Sequence, residues 1–346
     1  MKRILFKVIR SLIFLAIGLL LLYFAFKDVS LEELQASLEK ANYFWVGLTV
    51  FLGFLGFMSR AYRWKLLIKP LNYNPSFWNV FYALMIGYTA NFAIPRIGEV
   101  TRCITLRRTE KIPVDSLLGT VLIERASDLL ILISVFFVIF FARINFFGNF
   151  FIEKFYQPAV NKFNNFIDVS LISWIFILIV LIAFFFFIRY LNSRFSRNPF
   201  WRKIKKLIRG VLSGVKTIAR MQDRWTFLFH TLFIWLMYFL MGYLLVFAFP
   251  ATAHLTPIAG LILLVIGGIG MSAPVQGGIG VFHVIVALGL TELYHIPYVD
   301  AVAYATVSHE SQAIMAVVLG AVSFLMLFIN KRKIINLKED KQYELP

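Results

Sequence analysis

Charged residues are scarce in this sequence, and that shortage decides its class. Asp, Glu, Lys and Arg make up only 15% of the 346 residues, whereas a typical soluble chain carries about a quarter. Hydrophobic residues make up 60% of the chain, and the mean hydropathy is +0.78. This composition excludes an ordinary soluble domain and predicts an all-α polytopic membrane protein.

Cysteine is almost absent, and Cys103 is the only one in the sequence. One thiol excludes an internal disulfide framework and a cysteine-based metal cluster. The sequence also lacks a Walker motif, a typical spacing of metal ligands and a plausible nucleophile–base pair. We therefore predict no catalytic residue, no metal site, no cofactor and no enzyme activity, and expect any transport to be passive or driven by an ion gradient.

Acidic residues are half as common as basic ones, with 18 Asp and Glu against 35 Lys and Arg and a net charge of +17. In a membrane protein such an excess is typical of cytoplasmic loops, which are enriched in Lys and Arg. Topology explains the charge better than nucleic-acid binding does. We therefore predict no nucleic-acid partner.

Long apolar stretches are abundant. Six of them predict full membrane-spanning helices, at residues 8–26, 43–59, 115–141, 171–188, 225–249 and 301–329. No small-residue cleavage pattern follows the first stretch, so we interpret it as a retained anchor rather than a signal peptide. Ser30 and Glu33 have the spacing of a capping box, which predicts a short amphipathic helix on the outer surface.

Two further apolar stretches, residues 77–100 and 258–285, are interrupted by proline and glycine. If residues 77–94 crossed the membrane, the segment 189–224, with eleven Lys or Arg and one acid, would lie outside. That would contradict the cytoplasmic bias of positive charge. We therefore predict two re-entrant hairpins that enter from opposite faces. Both termini and the segment 189–224 are then cytoplasmic, and the segment is expected to bind anionic lipids of the inner leaflet.

Polar residues cluster at the two breaks and on the helices that follow them. Charged side chains inside a membrane are costly unless protein or water surrounds them, so they indicate a polar cavity. Broken helices that meet near the midplane are typical of transporters with inverted repeats. The candidate substrate-binding residues are Asn91, Arg96, Glu99, Arg102, Glu124, Arg125, Asp128, Gln276, Gly277, Gly278, His283, His309 and Glu310.

In this cavity the arginines would pair with a lipid phosphate, and the carboxylates would balance them or bind a cationic headgroup. Arg96 is expected to share a wet pocket with Glu99 and the charged residues of 124–128. His309 and Glu310 are adjacent, so their side chains are expected to point in different directions. Two structural interpretations remain open, namely a charge cluster that pins the first hairpin and a buried ion-pair set that holds helices together.

Four ordered motifs are spread over nearly the whole chain. They are Arg60-Ala61-Tyr62-Arg63-Trp64-Lys65-Leu66-Leu67, Asn91-x-x-x-Pro95-Arg96-x-Gly98-Glu99-x-x-Arg102, Glu124-Arg125-x-x-Asp128, and Pro274-x-x-Gly277-Gly278-x-Gly280-Val281. Together they resemble the flippase-like transmembrane region of lysylphosphatidylglycerol synthases. The resemblance implies a multi-pass protein of the bacterial inner membrane that moves lipids, in the best-understood members aminoacylated phosphatidylglycerol.

The sequence departs from the family pattern at His283, where glutamate is common, and at His309-Glu310, where arginine is common. It ends seventeen residues after Ile329, so we expect the soluble aminoacyl-transferring domain of the bifunctional members to be absent. We predict a single transmembrane domain over residues 1–333 and a short cytoplasmic tail over residues 334–346.

Two functions from different classes remain open. The first is a transporter that flips an anionic or aminoacylated phospholipid, or another lipid phosphate, through a polar cavity between the hairpins. The second is a scaffold without transport activity that presents a lipid to a separate lipid-modifying enzyme. A cavity that opens to each leaflet in turn favours the first, and a cavity sealed on the outer side, with a partner-sized apolar patch on the loops, favours the second. A homo-oligomer is a further expected assembly.

Overall fold

The computed structural model describes residues 2–142, 218 and 221–343, and it describes side chains within residues 11–142, 218 and 221–330. Every regular element in these residues is helical. In chain order the helices are α1 Lys2–Phe26, α2 Leu31–Glu39, α3 Tyr43–Ile68, α4 Phe77–Ala93, α5 Gly98–Glu110, α6 Val114–Ala142, α7 Arg224–Leu245, α8 Pro257–Ser272, α9 Val281–Tyr294 and α10 Tyr298–Tyr343. Short 3-10 turns span Lys69–Leu71, Val246–Ala248 and Gln276–Gly278.

The described helices confirm an all-α polytopic membrane protein. Five segments are long and apolar enough to cross a membrane, and α1 with α2 is a sixth candidate, bent by 81°. The predicted span 115–141 coincides closely with α6, and the predicted spans 8–26, 225–249 and 301–329 overlap α1, α7 and α10, although α10 continues past residue 329 to Tyr343. The predicted span 171–188 lies outside the described residues. The basic segment 189–224 also lies outside them, except for residues 218 and 221–224.

Local sequence signals explain the first helix boundaries. Ser30 is the N-cap of α2, and its hydroxyl oxygen accepts a hydrogen bond from the Glu33 amide at 3.2 Å. Its hydroxyl also donates to the Glu33 carboxylate at 2.9 Å. Asn42 caps α3 in the same way, accepting from the Phe44 amide at 3.0 Å. The amphipathic helix predicted after residue 30 is therefore confirmed as a helix.

The predicted end of the second span is wrong. We expected it to stop at residue 59, where the first arginine follows, but α3 continues without a break to Ile68. Residues 60–68 contain neither proline nor glycine, and five of their apolar side chains are at most 7% exposed. The packing of these side chains stabilises nine more helical residues, which places Arg60 and Arg63 inside the protein.

The first interrupted stretch forms a helical hairpin, which we call hairpin 1. Its arms are α4 and α5, and the chain reverses between them at Pro95 and Arg96. The arms touch at Gly87 and Gly98, where an added Cβ on Gly98 would overlap the Gly87 carbonyl oxygen. The side-chain Oδ1 of Asn91 accepts a hydrogen bond from the Gly98 amide at 2.8 Å. The returning arm is longer than predicted, because it ends at Glu110 rather than near residue 100.

The second interrupted stretch forms hairpin 2, with α8 and α9 as its arms. Gly277, Gly278 and Gly280 lie at its break with φ values of 58°, 81° and 79°, in the left-handed region that favours glycine. An added Cβ at Gly280 would overlap the Gly18 carbonyl oxygen of α1. The returning arm again extends further than predicted, to Tyr294 rather than residue 285.

The two hairpins start at opposite ends of the protein and meet at their tips. Near the end of α3, Ile68 shares an apolar core with Val80 of α4. At the other end, Trp45 of α3 packs on the core that holds Ala259 of α8. These ends are separated by the length of α3, about 1.5 Å per residue. The hairpins therefore approach each other from opposite sides, as the inverted-repeat pattern predicts.

Candidate functional site

Seven charged side chains form one cluster, which we call the arginine cluster. Arg60 and Arg63 come from α3, Glu99 and Arg102 from hairpin 1, and Glu124, Arg125 and Asp128 from α6.

Glu124 is the centre of the arginine cluster, and its side chain is fully buried. Its Oε2 lies 3.0 Å from Nη1 of Arg102, and its Oε1 lies 3.3 Å from Nη2 of Arg125. The same Oε1 is 3.6 Å from Nε of Arg60 and from Nη2 of Arg63. One carboxylate therefore faces four guanidinium groups, which offsets part of the cost of removing these charges from water.

Asp128 lies one helical turn after Glu124, so both carboxylates share a face of α6. Its Oδ2 lies 2.7 Å from Nη2 of Arg60, and its Oδ1 lies 2.8 Å from Nη1 of Arg63. Nη1 of Arg125 is 3.9 Å from Oδ2. These ion pairs join α6 to α3, which agrees with the structural interpretation in which the charged residues of 124–128 hold helices together.

Aromatic and hydroxyl groups surround the arginines. Arg60 donates a hydrogen bond to the Tyr88 hydroxyl and lies 5.7 Å from the centre of the Tyr238 ring. Arg102 stacks over the Trp64 ring at 4.5 Å. Cation–π contacts of this kind help to stabilise a guanidinium group away from water.

One edge of the arginine cluster is accessible. Nε of Arg125 lies 3.1 Å from Oε1 of Glu99, and these side chains are 43% and 42% exposed. A pocket of about 20 Å³ beside them is lined by residues including Tyr88, Asn91 and Arg102. A cavity of that size holds about one water molecule. A larger cavity of about 280 Å³ lies between the end of α3 and the start of α6, and no residue of the cluster lines it.

The arginine cluster retains unused hydrogen-bonding capacity. Its four arginines and three carboxylates give a formal charge of +1. Five buried guanidinium nitrogens have no hydrogen-bond partner among the described residues, namely Arg60 Nε, Arg63 Nε and Nη2, and Arg102 Nε and Nη2. Buried donors without an acceptor are unfavourable. The cluster is therefore suited to an additional anionic acceptor.

Arg96 does not join this cluster, so the expected pocket shared with Glu99 is wrong. Arg96 lies at the tip of hairpin 1 with φ 61°, and its Nη2 donates to the Ser272 carbonyl at 3.0 Å. The hydrogen bond instead links the tip of hairpin 1 to the end of α8.

The residues predicted at the second break lie at the tip of hairpin 2. Gly277 contacts the Phe92 ring of hairpin 1 so closely that an added Cβ would overlap it. The Gln276 amide donates from Nε2 to the Ser11 carbonyl of α1 at 3.0 Å. Gly278 is buried and lies close to Met271. These residues therefore join the two hairpins and α1.

The three remaining predicted residues form a separate group, which we call the imidazole cluster. His283 comes from α9, and His309 and Glu310 come from α10. Nδ1 of His309 lies 2.9 Å from Oε1 of Glu310, and Nε2 of His283 lies 3.6 Å from the same oxygen. The expectation that His309 and Glu310 point apart is wrong, because their side chains turn towards each other despite their adjacency.

Sequence reasoning missed Arg60 and Arg63 as site residues, because we interpreted them as cytoplasmic flanks of a span. Their side chains are only 7% and 0% exposed. Two signals in the sequence could have revealed them. The arginines are three residues apart, on one helix face, and apolar residues continue after them without a helix breaker.

Comparisons with known proteins extend these observations. The sequence profile described as "Lysylphosphatidylglycerol synthase TM region" matches residues 11–320. The UPF0104 membrane protein MJ1595 of Methanocaldococcus jannaschii is 28% identical over 174 residues, which are 49% of this chain and 47% of that protein. The chain thus spans about half the length of this curated relative. No solved structure matches. Because the profile covers most of the sequence, the chain belongs to the lysylphosphatidylglycerol synthase transmembrane region family.

Proposed function

We propose that this protein moves a lipid with an anionic headgroup from one membrane leaflet to the other and catalyses no covalent step. The lipid would be a phospholipid, an aminoacylated phospholipid or another lipid phosphate. The observation that carries this proposal is the arginine cluster, with its buried, unpartnered guanidinium N–H groups. The membrane would be the bacterial inner membrane, with both termini of the chain in the cytoplasm.

A phosphate group suits the hydrogen-bond donors of the arginine cluster that have no acceptor. Guanidinium groups present planar, paired N–H donors that match the oxygens of a phosphate. Three arginines with unpartnered nitrogens converge on one carboxylate, Glu124. A phosphate near these nitrogens would accept hydrogen bonds that the protein does not provide. The positive formal charge of the cluster favours an anion over a cation.

Access to the cluster would require the Glu99–Arg125 pair to separate. The pocket at this pair holds about one water, so it is too small for a phosphate headgroup. The structure therefore corresponds to an occluded state in this proposal. Glu99 would leave Arg125 as the headgroup enters, and the acyl chains would remain in the bilayer.

The two hairpins would provide the moving element for alternating access. In transporters built from inverted repeats, broken helices meet near the membrane midplane and one repeat moves relative to the other. Here the tips meet through the Arg96–Ser272 hydrogen bond and the Phe92–Gly277 contact. A small displacement at this junction would expose the cluster to one side or the other.

The test uses Arg125, because it is the accessible arginine of the cluster. We expect Arg125→Gln to lower headgroup transfer between leaflets of liposomes at least about tenfold per folded molecule, since one charge-assisted contact is lost. Arg125→Lys should restore transfer only partly, because an ammonium group lacks the planar fork. Arg107→Gln is the matched control, since Arg107 is exposed on the last turn of α5 and lies outside the arginine cluster. Unchanged transfer in Arg125→Gln, on equal amounts of folded protein, would contradict the proposal.

The small pocket favours a second candidate, a scaffold that holds a lipid for a separate enzyme. All four arginines of the cluster already face carboxylates, as a structural ion network would. A scaffold would retain a lipid during purification but would move no headgroup in liposomes that contain the protein alone. Headgroup analysis of co-purified lipids, together with the transfer assay, distinguishes the two functions.

A further inference from the structure

The imidazole cluster lies apart from the arginine cluster and is joined to the tip of hairpin 2. The side chains of His283 and His309 are 1% and 3% exposed, whereas Glu310 is 44% exposed. One ligand atom from each of the three residues lies within 4.8 Å of the other two. Two buried imidazoles and an accessible carboxylate therefore converge on one point.

The hydrogen bonding of His309 decides which of its nitrogens carries a proton. Its Nε2 lies 2.8 Å from the Gly277 carbonyl oxygen, and a carbonyl oxygen can only accept. Nε2 must therefore be protonated. In the neutral ring, Nδ1 then presents a lone pair to the Glu310 carboxylate at 2.9 Å. Two lone pairs at that distance repel each other unless a cation lies between or beside them.

We propose that His283, His309 and Glu310 bind a divalent transition-metal cation, and that Zn²⁺ fits the site best. Zinc binds imidazole nitrogen and carboxylate oxygen at about 2.0–2.2 Å, so tetrahedral ligand atoms lie about 3.3 Å apart. The measured separations from Glu310 Oε1, 2.9 Å to His309 and 3.6 Å to His283, bracket that value. Two imidazoles and a carboxylate form a donor set that suits zinc and leaves a fourth position for water.

The surroundings of His309 and the position of His283 favour a metal over a shared proton. A ligating histidine commonly donates its other N–H to a backbone carbonyl, as His309 does to Gly277. A proton between His309 and Glu310 would not involve His283. That ring is almost fully buried, and its Nδ1 has no hydrogen-bond partner within the described part of the chain. Coordination through Nε2 would satisfy that nitrogen of the buried ring, whereas Nδ1 would keep its proton without an acceptor among the described residues.

A metal at this site would fix a specific part of the fold. It would connect α9 to α10, and through His309 it would hold the Gly277 carbonyl at the tip of hairpin 2. Gly277 in turn contacts Phe92 of hairpin 1. The cation would thus stabilise the junction at which the two hairpins meet. This inference does not depend on lipid transport.

The test uses full-length, tag-free protein in detergent, stripped with EDTA and then dialysed against ZnCl₂. We expect about one zinc per folded chain and a rise in Tm on adding zinc, as expected for a ligand of the folded state. Cobalt in place of zinc should give the intense visible bands of a tetrahedral site. His283→Gln, His309→Gln and Glu310→Gln should each reduce occupancy below about 0.2 per chain and abolish the Tm shift.

His254→Gln is the matched control, because His254 is exposed and lies outside the imidazole cluster. It should keep full occupancy and the full Tm shift. If one glutamine variant fails to fold, the Tm shifts of the other two still decide the question. The proposal is overturned if the wild-type protein binds neither zinc nor cobalt. It is equally overturned if folded His283→Gln or Glu310→Gln retains one metal per chain.

Discussion

Arg125 and Glu99 form an ion pair, with Nε and Oε1 3.1 Å apart, that joins α6 to hairpin 1 at the accessible edge of the arginine cluster. Glu124, next to Arg125 in sequence, is fully buried at the centre of the same cluster. Two glutamates with similar partners thus differ in their exposure to solvent. Variants of the exposed Glu99 therefore test access to the arginine cluster, whereas variants of the buried Glu124 test the stability of the protein.

The first prediction compares these two glutamates. Glu124→Gln should lower the free energy of unfolding by about 3–5 kcal/mol, because it leaves several buried arginines without their shared counter-charge. Glu99→Gln should lower it by about 1 kcal/mol or less, because solvent screens an exposed pair. Denaturant unfolding of both variants in the same detergent measures the difference. Equal losses would contradict the assignment of Glu124 as the centre of the cluster.

The second prediction concerns Arg96, the cation at the junction of the hairpin tips. Arg96→Gln should fold and lower headgroup transfer per folded molecule about tenfold, because it removes the exposed charge at this junction. Arg96→Lys should recover only part of the activity.

Arg96→Gly is the control for backbone effects at this position. The φ of 61° suits glycine, so relief of backbone strain should offset the loss of the hydrogen bond to Ser272, and this variant should lie within about 1 kcal/mol of the wild type. It should nevertheless lose transfer as Arg96→Gln does. If both variants transfer lipid at the wild-type rate per folded molecule, Arg96 has no part in handling the headgroup.

The third prediction concerns the contact between the arms of hairpin 1. Gly98→Ala should destabilise the protein by about 1–3 kcal/mol, because its Cβ would overlap the Gly87 carbonyl oxygen and force the arms apart. Gly119→Ala is the matched control, since nothing lies within 4 Å of an added Cβ there. It should be neutral or stabilising by up to about 1 kcal/mol, because alanine favours a helix interior. Thermal unfolding in detergent compares the Tm values of the two variants. An unchanged Tm in Gly98→Ala would indicate that the arms are not held together at this point.

The fourth prediction concerns topology. In a Cys103→Ala background, cysteine at Asp28 should react with an impermeant reagent in intact cells, whereas cysteine at Asn74 should react only after lysis. Both residues are exposed, and the 26-residue helix α3 separates them. Cysteine at Ser213 should behave like that at Asn74, because the segment 189–224 is predicted to be cytoplasmic. External labelling at Ser213 would require a different topology.

Much of the fold could be predicted because membrane insertion depends on local composition. A run of apolar residues must satisfy its backbone internally, so it forms a helix wherever it occurs. The proline and glycines at residues 95–98 and 274–280 interrupt such helices for equally local reasons. The spans near α1, α6, α7 and α10 and the two hairpins followed from these signals. The lengths of α3 and of the returning hairpin arms did not, because packing extends helices past the residues at which hydropathy falls.

The composition of the site was decided by tertiary structure. The sequence by itself identified polar residues that a membrane protein must shield, and five of them do lie together in the arginine cluster. Only the packing of α3 against α6 showed that Arg60 and Arg63 complete it, across more than sixty residues of chain. Only the tertiary structure showed that Arg96 contacts Ser272 rather than Glu99, and that the side chains of His309 and Glu310 face each other. Local free energies specify which residues must be buried, whereas the partner that each one meets depends on how distant helices are placed and rotated against each other.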